Sequence, residues 1–255
     1  MGSYKKNQKP FSGNLIIGRQ PVIEAIESGK QIDKIFFQQN VSGDSIGRIR
    51  QLASGLHIPI QQVPLEKLNG LSKANHQGVI AIASLVHYTP LQDVIDALND
   101  KGEMPFFLML DGITDVRNIG GIARSAVCCG VQAIIIPDKG VGAINEEAIK
   151  SSAGALHKIY ICRVGSLLKA VDELHLNGIK VYSSALNTEK ALEDIDFNTP
   201  CCIVCGNEEK GVQPFLIKAS DETFTIPMTG DFDSFNVSVA TGIICYEGMK
   251  QRRKM

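Results

Sequence analysis

The sequence predicts an α/β protein of two modules: a small N-terminal α/β unit and a larger C-terminal domain built on a parallel sheet. Three observations carry this. Beyond residue 89, apolar segments of strand length alternate with segments of helical periodicity, the pattern of crossover-connected parallel strands. Several of these strands, FFLML, AIII and CCIVC among them, are apolar throughout, so burial of both faces is expected. The charge also divides along the chain. Its 255 residues carry 26 Lys/Arg and 27 Asp/Glu, a net charge of −1. Residues 1–88 hold 10 basic against 5 acidic side chains, a net +5; residues 89–255 hold 16 against 22, a net −6. A basic third beside an acidic remainder suggests modules with different partners.

Residues 1–13 read as a flexible basic tail ending in Ser12-Gly13. In the unit at 14–88, QPVIEAIES places Val22, Ile23 and Ile26 at helical spacing and stops at Gly29. KIFFQ (34–38) reads as a strand and DSIGRIRQLA as a helix with Arg48 and Arg50 on its surface; IPIQQV and VIAIASLV (79–86) read as strands. Tyr88-Thr89-Pro90 reads as the linker. The domain at 89–255 then runs through a helix at 91–100, strand FFLML (106–110), a helix near 118–129, strand AIII (133–136) and a helix near 145–151. Strand KIYIC, a helix at 166–177, strands KVYSSA, CCIVC and TFTI, and a helix from 236 to 250 complete it.

Composition narrows the class. With 44% hydrophobic and 21% charged residues, the chain can bury a core, which excludes disorder as its main state and a wholly basic nucleic-acid coat. No run approaches the roughly 18 apolar residues of a membrane helix, and MGSYKKNQKP lacks the apolar centre of a signal peptide. The seven cysteines lie in apolar runs, as reduced, buried thiols do, so a cytoplasmic location is expected. Cys202-Ile203-Val204-Cys205 is formally C-x-x-C but lies within a strand with no second pair, and no metal site is expected.

In a parallel α/β sheet, ligands bind at the carboxyl ends of the strands. Three loops in that position are rich in Gly, Asn and acidic residues: Leu110–Arg124, Val204–Val212 and Ile226–Ala240. Taken singly, each also reads as ordinary helix capping or a strand-to-helix turn, with Asn118 and Asn236 as good N-caps. Other nucleotide signatures fail. The phosphate loop G-x-x-x-x-G-K-[ST] is absent, and Gly140-Val141-Gly142 is followed by Asn145 where the dinucleotide fingerprint needs glycine. The five histidines form no i, i+4 pair.

Together and in this order, the loops resemble the signature motifs of the SpoU (TrmH-like) branch of the SPOUT RNA methyltransferases. N-x-G-x-x-x-R stands as Asn118-Ile119-Gly120-Gly121-Ile122-Ala123-Arg124, and G-x-E-x-x-G as Gly206-Asn207-Glu208-Glu209-Lys210-Gly211. The third motif is matched from Ile226 through Ala240. Gly18-Arg19-Gln20-Pro21-Val22 and His76-Gln77-Gly78-Val79 resemble the substrate-binding domain fused to many ribosomal RNA members. The resemblance implies S-adenosylmethionine-dependent methylation of a ribose 2′-hydroxyl in RNA, a trefoil-knotted C-terminal SPOUT domain and a homodimer. It implies catalytic roles for Asn118, Arg124, Glu208, Ser234 and Asn236, and cofactor binding near Ala185, Gly206, Ile226 and Phe235. Phe235 stands where Leu is commoner, and Asp231 and Asp233 make the third loop acidic. The basic unit and the tail Lys250-Gln251-Arg252-Arg253-Lys254 are candidates for RNA capture through phosphate contacts. The N-terminal unit favours large-subunit ribosomal RNA. The alternatives are the same chemistry on transfer RNA, or a non-catalytic RNA-binding assembly factor that keeps the fold.

Overall fold

The computed structural model describes residues 15–142, 144–186, 188–207, 209–230 and 234–253. The tail 1–13, the motif residue Glu208, the acidic Asp231 and Asp233, and Lys254 lie outside the described residues. The chain divides into two compact units between Ser84 and Leu85.

The first unit runs β1 (Leu15–Ile17), α1 (Arg19–Glu27), β2 (Ile32–Gln38), α2 (Asp44–Gly55), β3 (Ile60–Val63), α3 (Leu65–Leu71) and β4 (Val79–Ala83). Its sheet has the order β1-β4-β2-β3; β4 is antiparallel to both neighbours and β2 is parallel to β3. All five residues of β4 are buried, because it is central and covered on both faces. Val22 and Ile26 of α1 and Ile46 and Ile49 of α2 pack with Ile35 and Phe37 on one side; Leu68 of α3 packs with Phe36 and Ile80 on the other. The sequence does not predict β1, α3 or the six-residue α8 of the second unit, Pro214–Ala219. A three-residue strand and a helix burying only Leu68 are too short to show a period.

The second unit runs α4 (Leu91–Asp100), β5 (Phe106–Leu110), α5 (Val116–Cys128), β6 (Ala133–Pro137), α6 (Glu146–Ser151), β7 (Tyr160–Val164) and α7 (Leu167–Leu176). It continues with β8 (Lys180–Ser184), β9 (Cys201–Cys205), α8 (Pro214–Ala219), β10 (Glu222–Phe224) and α9 (Val237–Arg252). The six strands form one parallel sheet in the order β10-β8-β9-β5-β6-β7. Helices cover both faces. Phe106, Leu108 and Leu110 of β5 pack with the residues of α5 and α9, and Phe107 and Met109 with those of α4, α7 and α8. The unbroken apolar run FFLML follows from this double burial.

CCIVC divides in the same way: Cys201, Ile203 and Cys205 face one layer and Cys202 and Val204 the other. Cys202 and Cys205 therefore point to opposite faces and cannot share a ligand. Burial pushes Cys201 and Cys205 up to about 11 and Cys162 up to about 12, which keeps these thiols protonated at neutral pH.

Two expectations need revision. Tyr88 and Thr89 are not a free linker: Thr89 N donates to Ile161 O at 2.9 Å, and the Arg163 guanidinium lies 4.0 Å from the Tyr88 ring centroid. The basic C-terminal run is also largely committed to the fold. Arg252 donates to four main-chain carbonyls, Gln251 to Ile195 O, and Lys250 pairs with Glu247. No described helix is long and apolar enough to cross a membrane.

Candidate active site

The chain leaves the sheet centre at β5, adds β6 and β7 on one side, then returns to place β8, β9 and β10 on the other. The carboxyl ends of β5 and β9 are therefore adjacent at the point where the winding reverses, the usual site for a ligand in such sheets. Beyond the carboxyl ends of β8, β9 and β10, with Thr225, Ile226, Met228, Ser234 and Phe235 in its wall, lies a cavity of about 420 Å³, within the range of small-molecule sites.

In the first loop, Asp115 is the N-cap of α5, accepting from Arg117 N at 2.8 Å. That backbone hydrogen bond is the main reason its carboxyl is held below the usual range. Asn118 is thus not the cap proposed for this helix; it lies in the first turn, because the helix begins two residues earlier. Its Oδ1 accepts from Asn236 Nδ2 at 3.2 Å, which joins the first motif to the third. Asn236 does cap its helix, taking Ser238 N at 3.0 Å and Ser238 Oγ at 2.6 Å on Oδ1. Gly120 and Gly121 have a packing reason. A Cβ on Gly120 would overlap Ser151 of α6, and one on Gly121 would lie 3.3 Å from Ser238 Cβ of α9.

The second loop folds back on itself. Asn207 N donates to Gly211 O at 3.2 Å and Gly211 N to Asn207 O at 2.7 Å. A Cβ on Gly206 would overlap the main chain of Gly211 and Val212, so the turn closes only over glycine. Gly211 itself has φ 67°, the left-handed region.

All four expected cofactor-binding residues, Ala185, Gly206, Ile226 and Phe235, line the cavity, as does Ser234. Leu186 and Met228 add apolar wall that the motif reading did not single out, and Glu209 and Lys210 add charge at its side. Among the described residues, the main-chain groups of Leu186, Gly206, Ile226 and Met228 make no hydrogen bond, so donors and acceptors stand ready for a ligand. Apolar walls with a few free backbone groups fit a nucleoside-like cofactor.

Asn118, Asn236 and Arg124 are not on that wall. Arg124 projects from α5 as an exposed side chain with no hydrogen-bond or ion-pair partner among the described residues. Six residues, or 1.7 turns, separate it from Asn118 and turn it to another side of the helix. Arg117 is differently placed, with Asp115 at 3.5 Å and Glu147 at 3.7 Å.

Fold and pocket together define a two-unit α/β protein that takes a small ligand at the carboxyl end of a parallel sheet. Residues 105–246 match the SpoU rRNA Methylase family and residues 15–89 the RNA 2′-O ribose methyltransferase substrate binding domain. The chain belongs to the SpoU rRNA methylase family, also called TrmH, of RNA methyltransferases. It is 32% identical over 237 residues, 93% of its length and 95% of the relative's, to YacO of Bacillus subtilis (strain 168), whose name places it among TrmH family tRNA/rRNA methyltransferases. Its fold matches the SpoU methyltransferase AviRb from Streptomyces viridochromogenes, solved in complex with AdoMet, at a TM-score of 0.61 and 22% identity over 94% of this chain and 91% of that one. The A. aeolicus TrmH/SpoU tRNA modifying enzyme matches at a TM-score of 0.53 and 27% identity, covering 64% of this chain and 85% of its own.

Proposed function

We propose that the protein transfers a methyl group from S-adenosylmethionine to a ribose 2′-hydroxyl of RNA, with large-subunit ribosomal RNA as substrate. The observation that carries this is the convergence of the motif loops. Ala185, Gly206, Ile226, Ser234 and Phe235 meet in one cavity, and Asn118 and Asn236 are hydrogen-bonded to each other where α5 meets α9. The cofactor supplies a methyl group already activated on a sulfonium. The protein's task is then to hold a weak nucleophile in line and manage one proton, and positioning can lower such a barrier greatly.

Ile226, Met228 and Phe235 supply apolar contact for the adenosine part, and the free backbone groups of Gly206 and Ile226 bind its polar edges. Asn118, Ser234 and Asn236 orient the ribose. Glu208, outside the described residues, is assigned to anchoring the pocket. Arg124 stabilises negative charge developing on the 2′-oxygen or the neighbouring phosphate. A guanidinium, with a pKa above about 12, is a reluctant base. Its exposed position off the cavity supports a homodimer in which Arg124 completes the partner's site. Val239 and Tyr246 of α9, 51% and 59% exposed, offer apolar surface for that contact. We include in this proposal a trefoil-knotted second unit, as the resemblance implies, and a cytoplasmic location.

Transfer of tritium from labelled S-adenosylmethionine to RNA, with primer-extension mapping of the product, tests the reaction and separates ribosomal from transfer RNA. Arg124→Ala is expected to abolish transfer while leaving cofactor affinity within about twofold, as expected for a group that acts on the transition state. Near-normal turnover in that variant would remove Arg124 from the mechanism.

A further inference from the structure

Asp111, the first residue beyond β5, is 2% exposed and makes no ion pair among the described residues. Both of its carboxylate oxygens are occupied. Oδ2 accepts from the main-chain N–H of Gln213 at 2.7 Å, and Oδ1 accepts from Gln213 Nε2 at 2.5 Å. One residue on, the carbonyl of Gly112 accepts from Asn207 Nδ2 at 3.0 Å. Asn207 Oδ1 in turn accepts from the main-chain N–H groups of Glu209 at 2.9 Å and Lys210 at 3.4 Å. Two adjacent positions of the first loop are thus tied to the two ends of the second. The tied turn supplies Gly206, Asn207 and Glu209–Val212 to the cavity wall. On the other side of the tie, the chain runs only from Gly112 to the cap Asp115 before α5, which carries Asn118, begins.

We propose that Asp111 is a positioning residue for methyl transfer: through Gln213 it sets the spacing between the turn at 206–212 and the start of α5. It is not an acid or base, since both oxygens are engaged and the side chain is off the cavity wall. Reacting groups displaced by about 1 Å can lose about 100-fold in rate, so a tie between the two loops bears on turnover more than on binding. The role rests on the methyl-transfer reading above.

The test uses the full-length protein, S-adenosylmethionine and in vitro transcribed large-subunit RNA, with hydrogen–deuterium exchange as the second readout. Asp111→Ala is expected to speed exchange at 111–118 and 206–213 by about 10-fold or more. The same variant should lower kcat by about 10- to 100-fold, with KM for the cofactor within about threefold and both limbs of the pH profile kept. Gln213→Glu sets two carboxylates against each other and should behave like Asp111→Ala. Adding Asp111→Asn to it restores the pair in reverse: the new amide accepts the main-chain N–H and donates to the new carboxylate. Exchange protection and rate should then return, and this comparison stands even if Asp111→Ala fails to fold. Unchanged exchange, a double variant no better than Gln213→Glu, or loss of a pH limb would overturn the role. A wild-type protein inactive on RNA would defeat the methyl-transfer reading instead, and exchange and its rescue would still decide whether Asp111 ties the loops.

Discussion

Replacing Arg252 with alanine tests how far the basic C-terminus belongs to the fold. Its Nε donates to Phe197 O at 2.8 Å, Nη1 to Met104 O at 3.0 Å, and Nη2 to Pro105 O at 2.8 Å and Thr199 O at 2.7 Å. The guanidinium also lies 4.5 Å from the Phe106 ring centroid. One side chain therefore closes the open amino ends of β5 and β9 and fastens the last turn of α9 across them. Gly248 permits the approach, since a Cβ there would meet the Phe106 ring at 2.5 Å.

A hydrogen bond with a charged partner contributes about 1.5–3 kcal/mol, and the ring contact about 0.5–1 kcal/mol. Simple addition overshoots, because Arg252 is only partly buried and water will reach some of the abandoned carbonyls. If roughly half of them are rehydrated, Arg252→Ala costs about 3–5 kcal/mol, a large share of the stability of a typical domain. At about 2–4 °C per kcal/mol, Tm falls by about 10 °C in a calorimetric scan. Arg252→Lys, with one ammonium for four acceptors, should fall between the two. Arg253→Ala, at the exposed neighbouring position, should move Tm by no more than about 1 °C. A loss below about 3 °C for Arg252→Ala would refute the structural role and return the residue to the pool of phosphate contacts.

Three further outcomes follow from the site and the core. Gly206→Ala should weaken cofactor binding by more than about 30-fold in a titration with S-adenosylhomocysteine, because its Cβ would overlap the main chain of Gly211 and Val212; affinity within about threefold of wild type would show that the turn can open at little cost. Maleimide at mildly alkaline pH should label exposed Cys128 first and half-buried Cys129 slowly, while Cys162, Cys201, Cys202, Cys205 and Cys245 react only after unfolding. Fast labelling of any of those five in the native protein contradicts their burial. Asp115, whose folded carboxyl lies below its ordinary value of 3.8, adds stability that is present above that value and lost as pH falls through the folded one. Asp115→Asn keeps an acceptor at the cap, so the Tm gap to wild type should shrink as pH drops from about 6 to about 3; a widening gap would reverse the assignment.

The sheet domain was legible because double burial writes itself as unbroken apolar runs. FFLML and CCIVC match β5 and β9 residue for residue. Short elements left no such trace, as with β1, α3 and α8. The pocket was legible only through the combined motifs, since each loop alone looks like capping chemistry, and the Asn118–Asn236 link spans 118 residues. The start of α5 differs from the sequence expectation because Asp115 and Asn118 are both good caps, and only the backbone shows which one accepts. Arg252 departs from its sequence expectation for a different reason. Carbonyls at the ends of strands far away in sequence claim it, and a run of basic residues does not reveal its partners.

The charge split bears on how a net-acidic domain meets a polyanion. Net charge governs approach at long range, and at about 0.15 M salt it is screened beyond about 8 Å. Within that distance, the relevant quantity is which cations remain uncommitted. In the catalytic domain Arg252 is saturated by carbonyls, Arg117 lies between two carboxylates, and Lys190 and Lys250 pair with Glu222 and Glu247. Arg124 on α5 and Lys210 on the cavity wall have no such partner among the described residues. The domain therefore offers phosphate a few free cations near the motifs against an acidic background. That arrangement penalises nonspecific adhesion and leaves general attraction to the basic first unit.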